Sequence, residues 1–338
     1  MGKRLHWIDI TKAICMLCVY IGHTGFYTAN TNLLAYIYAP FFVNSFFFIN
    51  GYFIFKKLEK SNGIYSLTKE SISGCIYKLV IPSIIFTALT YIPKIIYYSH
   101  GFTLKDFLLT VFGGTGFWFT SALAIAQIAI FSMLVIYRKK GVMPYFLTSL
   151  AIFFILKFTG NFAPRVSSAY FPWFWQTGLI HTIVITLGGA YFHYEKFIDK
   201  FMQKGGVILI AIICLAVYIA EFSGCKIQCL GLSGRSNALG AVAIISTMLL
   251  LINITQRLKI NRYTSFVAKY SIVFYFLSGI VPASVSIALQ MFNLEGLVLY
   301  AAALAISIAL SSLAVFLIAR YAPFLIDLRI IRKKQNEL

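Results

Sequence analysis

Asp9, Lys12 and His23 lie within or at the edge of the first long apolar run, IDITKAICMLCVYIGHTGF from Ile8 to Phe26. The run is long enough to cross a bilayer as a helix, and ionisable groups there need a reason, because facing lipid costs each of them several kcal/mol. A helix turns about 100° and rises about 1.5 Å per residue, so Lys12 and His23 fall about 20° apart in azimuth and about 16 Å apart in height. Asp9 lies on the same side, one turn below Lys12. The face reads carboxylate, ammonium, apolar spacer, imidazole, a stripe of charge and titratable nitrogen that has to face the protein interior. Taken singly, Asp9 and Lys12 are accounted for as an i,i+3 pair at a helix end with Lys12 reaching to the interface, and His23 as a packing residue. Three such groups on one face favour a functional stripe, suited to catalysis or to a proton or substrate path.

The elements that must hold this stripe are membrane helices. The chain has 338 residues, 60% of them hydrophobic, which marks a polytopic membrane protein rather than a soluble enzyme with an anchor. Apolar runs near 8–27, 34–55, 76–98, 115–137, 142–160, 174–194, 206–222, 237–254, 266–290 and 296–319 predict about ten transmembrane helices. The expected fold class is all-α, with residues 1–338 forming a single membrane domain and no fused soluble catalytic domain. The first run is too long for a signal-peptide core and lacks a small-residue cleavage pattern, so it is expected to remain in the protein. The net charge of +19 is a topology signal. With the N-terminus inside, 22 of the 29 basic residues fall in cytoplasmic segments, including Lys56, Lys57, Lys60, Lys69, Lys78, Arg138 to Lys140 and Arg257 to Lys269. Lys94, Lys105, Lys157, Arg165, Lys226 and Arg235 sit on the other side or in outer halves of spans. This alternation places both termini in the cytoplasm and assigns the charge to orientation and to anionic lipid head groups rather than to nucleic acid.

In the second run, Tyr38 to Lys57, aromatic residues are interrupted by Asn44, Ser45, Asn50 and Gly51, which either line a cavity beside the first run or give a small face for close packing. The stretch up to Gly74 reads as a short amphipathic surface helix, and Lys78 then stands four residues ahead of Pro82 in KLVIP. Gly113, Gly114 and Gly116 lack the lysine and spacing of a phosphate loop and read as flexible backbone. Trp118 opens the fourth span. Arg165, Trp173 and Trp175 in an outer segment suit stacking against sugar rings, or an interfacial aromatic belt. His181, in the sixth span, reads as a hydrogen-bonded interior group or a functional one. Cys15 and Cys18 read as apolar packing, while Cys225 and Cys229 lie in a predicted outer loop where they are free to pair if the compartment is oxidising. No cysteine and histidine cluster has metal-site spacing.

The basic-x10-His pair Lys12 and His23, preceded by Arg4 and Asp9, is joined by FFFINGYF in the second span, KLVIP at the third and WFTSAL in the fourth. In order and spacing these landmarks resemble the acyltransferase-3 family of bacterial membrane acyltransferases, over most of the chain. The resemblance implies O-acyl transfer without a metal, from cytoplasmic acyl-CoA, usually acetyl-CoA, to a hydroxyl of a surface glycan, polysaccharide or lipid-linked sugar at the bacterial cytoplasmic membrane. It assigns catalysis to His23, as base for the hydroxyl or as acyl acceptor. Lys12 would bind CoA phosphate or stabilise an oxyanion, and Asp9 would hold Lys12 charged and in place. Lys78 becomes a candidate for a CoA phosphate, and Asn50, Trp118, Arg165, Trp173 and His181 for substrate contacts. The cavity is expected between spans one to four, open to the cytoplasm. Two departures stand out: Cys75 and Lys78 occupy places where relatives often carry two arginines, and Ser278 stands where many carry histidine. A transporter of a lipid-linked saccharide, or a relay subunit serving a separate secreted transferase, are the competing readings.

Overall fold

The computed structural model describes residues 5–28, 37–60, 64–98, 102–114, 116–138, 141–158, 172–223 and 238–327. Every regular element among them is helical: α1 (His6–Tyr27), α2 (Asn44–Lys60), α3 (Ile64–Cys75), α4 (Ile81–Tyr98), α5 (Leu104–Phe112), α6 (Trp118–Tyr137), α7 (Met143–Phe158), α8 (Trp175–Phe201), α9 (Val207–Phe222), α10 (Ala238–Arg257), α11 (Arg262–Lys269), α12 (Ser271–Leu277), α13 (Ile280–Gln290) and α14 (Gly296–Tyr321). Among the described residues five helices are long and apolar enough to cross a membrane: Thr68–Tyr91, Trp118–Tyr137, Trp175–Ala220, Leu239–Arg257 and Gly296–Tyr321. A sixth arises if α12 and α13, bent by 43° at their junction, count as one broken span. The 17-residue α2, the 16-residue α7 and the charged α1 fall outside that group.

Two helices organise the packing. α8 carries α2, α6 and α7 against its sides, whereas α1 packs chiefly against the C-terminal elements α10 to α14. The α2–α8 contact is made close by glycines on both partners. A Cβ on Gly51 would lie 1.8 Å from the Ile185 carbonyl oxygen, and one on Gly188 would lie 1.9 Å from that of Phe48. In lipid, where apolar burial drives no association, this approach of two backbones is what holds the pair.

Three expectations are corrected. The stretch before Cys75 is a short helix as expected, α3, but not a separate one: it runs through a π-turn, Ile76–Val80, directly into α4, with Thr68 and Cys75 buried. The π-turn has a local cause. Pro82 has no N–H to offer the Lys78 carbonyl, and the Ile81 N–H reaches five residues back to the Ile76 oxygen. The glycine cluster is packed rather than flexible. A Cβ on Gly114 would come within 2.9 Å of the Trp173 ring, and one on Gly116 within 2.3 Å of Thr87. Finally, the first span lies mainly among the C-terminal helices, touching α2, so spans one to four do not by themselves enclose its polar face. That mutual arrangement of distant segments is set by ring and backbone fit and has no periodicity in the sequence.

The Trp175–Ala220 stretch spans 46 residues. A straight helix of that length would be about 69 Å long, roughly twice a hydrocarbon core. It is interrupted at Lys204 and at Gly205, whose φ of 97° favours glycine.

Candidate active site

α1 is an unbroken 22-residue helix, so the positions of Asp9, Lys12 and His23 follow from helical geometry. Asp9 is buried, and Lys12 and His23 are half-buried. The spacer residues Met16 and Val19 between them are 2% and 6% exposed. Leu17, 45% exposed, lies about 120–140° round the helix from Lys12 and His23. The stripe therefore faces inward. Flanking it, the Thr11 and Thr255 hydroxyls lie 3.1 Å apart, and the Tyr20 hydroxyl donates to the Phe274 carbonyl at 3.1 Å.

Tyrosines gather at the His23 end. Gly22 leaves room for Tyr38, whose hydroxyl would lie 2.9 Å from a Cβ there, and the Tyr300 hydroxyl donates to the Ile21 carbonyl at 3.5 Å. From Tyr20 a series of rings runs across the molecule. Tyr20 meets Phe274 edge-on at 6.4 Å, and the neighbouring Tyr275 hydroxyl accepts the Phe119 N–H at 3.3 Å. Phe119 meets Phe47 at 5.5 Å, and Phe47 stacks on His181 at 4.2 Å. The fold thus joins the first, second, fourth, sixth and ninth runs through aromatic side chains.

Within this frame Trp118 is half-buried and contacts Phe119 and Phe174. Trp173 sits beside Gly114, its N–H donating to the Gly113 carbonyl at 2.7 Å. Trp173 and Phe174 adopt φ of 63° and 49°, a left-handed pair that non-glycine residues enter only at a cost in energy. His181 is 1% exposed, with Nδ1 2.6 Å from the Thr177 carbonyl oxygen. A carbonyl only accepts, so Nδ1 carries the proton and Nε2 is an acceptor. That Nε2 is buried without a hydrogen-bond partner among the described residues, as is Oδ1 of Asn50. Lys78 lies in the π-turn, with its ammonium 3.8 Å from Asp327 Oδ2. Arg165, Cys225 and Cys229 lie outside the described residues. Of the two departures, Cys75 is buried with its thiol 4.0 Å from the Ala124 carbonyl oxygen, and the Ser278 hydroxyl bonds the Tyr275 carbonyl at 2.7 Å. Both side chains serve the frame.

Sequence reasoning missed a polar network at the Asp9 end. Trp7 meets the Tyr52 and Tyr191 rings edge-on at 5.5 and 5.9 Å. The Tyr52 hydroxyl donates to Glu195 at 3.0 Å, the Tyr191 hydroxyl donates to Asp199 at 3.2 Å, and the Gln256 amide reaches both Tyr191 and Asp199 at 3.2 Å. The signal was present in the four-residue spacing of Tyr191, Glu195 and Asp199, which places all three on one helical face. Among the described residues no group of three His, Cys, Asp or Glu side chains is placed to hold a metal ion.

An all-helical frame around an inward-facing Asp–Lys–His stripe defines an integral membrane protein with an ionisable interior site. The acyltransferase-3 family, whose model is described as an acyltransferase domain, matches residues 5–316, and the chain belongs to that family. The protein is accordingly a membrane acyltransferase. No curated protein and no solved structure matches the chain.

Proposed function

We propose that this protein is an O-acyltransferase of the bacterial cytoplasmic membrane that moves an acyl group, acetyl foremost, from cytoplasmic acyl-CoA to a hydroxyl of a surface glycan, polysaccharide or lipid-linked sugar. The observation that carries the proposal is the inward stripe of α1 in a chain of this family. In this reading His23 takes the proton of the acceptor hydroxyl as its oxygen attacks the thioester carbonyl. The C–O bond forms, the C–S bond breaks, and the departing CoA sulfur takes that proton from the imidazolium. Lys12 is about 16 Å below His23, further than a lysine side chain reaches, so we assign it to the phosphate end of the donor rather than to the oxyanion. Asp9 keeps Lys12 in place. Tyr38 and Tyr300 at the His23 end are suited to orient the acceptor, and Lys78 is a weaker candidate for a donor phosphate, because Asp327 already stands beside it. Both termini lie in the cytoplasm in this reading, so the basic segments face the compartment that holds acyl-CoA.

Membranes bearing the protein, supplied with acetyl-CoA labelled in the acetyl group, should place label in the glycan or lipid-sugar fraction. Membranes bearing His23→Ala should not. Equal labelling in the two would defeat the proposal.

A further inference from the structure

A second site lies away from the stripe, where the short helix α11 meets the end of α14. An open cleft of about 650 Å³ is formed there, and Arg262, Lys269 and Arg320 converge on it. Ser265 adds a hydroxyl, Phe266 and Phe316 form apolar walls, and among the described residues no carboxylate lines it. The cations come from two elements, with Arg320 more than fifty residues beyond Lys269 in sequence, so their presence at one cleft belongs to the fold and not to one basic run. α11 is strongly two-sided: Val267 and Ala268 are buried, while Arg262 and Lys269 are exposed.

The level of the cleft identifies its ligand. Arg320 is in the last turn of α14, about 36 Å along the helix from Gly296, a length that takes a membrane-crossing helix from one bilayer surface to the other. Directly below it Leu313, Phe316 and Leu317 are 55%, 49% and 44% exposed, an apolar face suited to acyl chains. Three cations at head-group height above such a face are complementary to a phosphate that carries lipid tails. No residue of α1 lines the cleft, which separates it from the proposed donor path.

We propose that this cleft binds the phosphate of an anionic phospholipid, with the lipid tails descending along Leu313 and Phe316. The phosphates of CoA share the same chemistry and are the alternative source. The test uses the full-length protein in neutral detergent, titrated with phosphatidylglycerol, phosphatidylcholine or CoA, and bound ligand is counted by native mass spectrometry. Phosphatidylglycerol should be retained several-fold better than phosphatidylcholine. Arg320→Gln should lower that retention about fivefold, as expected for one cation near a lipid surface, and Arg262→Gln combined with Lys269→Gln should lower it further. Lys57→Gln with Lys60→Gln, which removes two exposed cations elsewhere, should leave it unchanged. An unchanged preference in Arg320→Gln and in the double variant would overturn the site. Displacement of phosphatidylglycerol by CoA would overturn the lipid assignment in favour of the donor. If the double variant elutes as aggregate, Arg320→Gln and Lys269→Gln singly carry the comparison.

Discussion

His23 and Lys12 are set apart by their neighbours rather than by their own chemistry. Both are partly shielded on an inward face whose spacer residues are buried, so the stripe inferred from an eleven-residue spacing is the face that the fold turns inward. A positioned base supplies about 10²–10⁴-fold of rate, and His23→Ala is expected to lose that much of kcat, read as CoA thiol release. Lys12→Ala should act differently. Loss of a charge-assisted contact to phosphate raises the acyl-CoA KM by about tenfold or more while changing kcat less, and Lys12→Arg should recover part of the affinity. Equal kcat losses in the two variants would place Lys12 in the chemical step. The stripe was legible because helical periodicity converts sequence distance directly into geometry. Tyr38, Tyr275 and Tyr300 were not, since their places beside α1 and α6 depend on chain reversals that no local pattern encodes.

At the scale of elements, the α2–α8 pair and the α6–α12 contact hold the site together. Gly51→Ala and Gly188→Ala each drive a methyl into a backbone carbonyl, and overpacking of this kind costs about 1–3 kcal/mol or more. Thermal unfolding in detergent should show a lowered Tm for either variant, while an alanine at Gly141, where a Cβ would meet nothing within 4 Å, should leave it nearly unchanged. Tyr275→Phe removes the acceptor of the Phe119 N–H. A buried unpaired donor costs about 1–3 kcal/mol, so this change should also lower Tm and, by loosening the start of α6, slow turnover. A Tm equal to wild type would mean that the N–H finds another acceptor. The apolar runs that became α6, α10 and α14 were read from the sequence nearly to their ends, because long uniform hydropathy suffices for them. The ninth run was not: it takes in the end of α11 with α12 and α13, and hydropathy alone did not mark its breaks at Tyr270 and at Ser278–Gly279.

At the scale of the whole molecule, the distribution of basic residues and the inward stripe have to agree on a direction. Donor chemistry requires the Lys12 end of α1 to face the cytoplasm. Cysteines placed at the exposed positions Lys60 and Arg138 should then react with an impermeant thiol reagent only from the cytoplasmic side of a cysteine-free background, and one at Lys105 only from outside. Labelling of Lys60 and Lys105 from the same side would break the proposed topology. Charge alternation carries orientation in the sequence because it reflects insertion rather than packing. Which helices surround α1 is a matter of packing and emerged only with the fold.

The central claim is tested most directly by measuring binding and turnover of acetyl-CoA with purified wild-type, His23→Ala and Lys12→Ala protein side by side. The expected result is a split: His23→Ala binds acetyl-CoA as wild type does but does not transfer or hydrolyse it, and Lys12→Ala binds weakly. Turnover by His23→Ala at the wild-type rate, or no binding of any acyl-CoA by the wild type, would contradict the account and return the stripe to the role of a transport path.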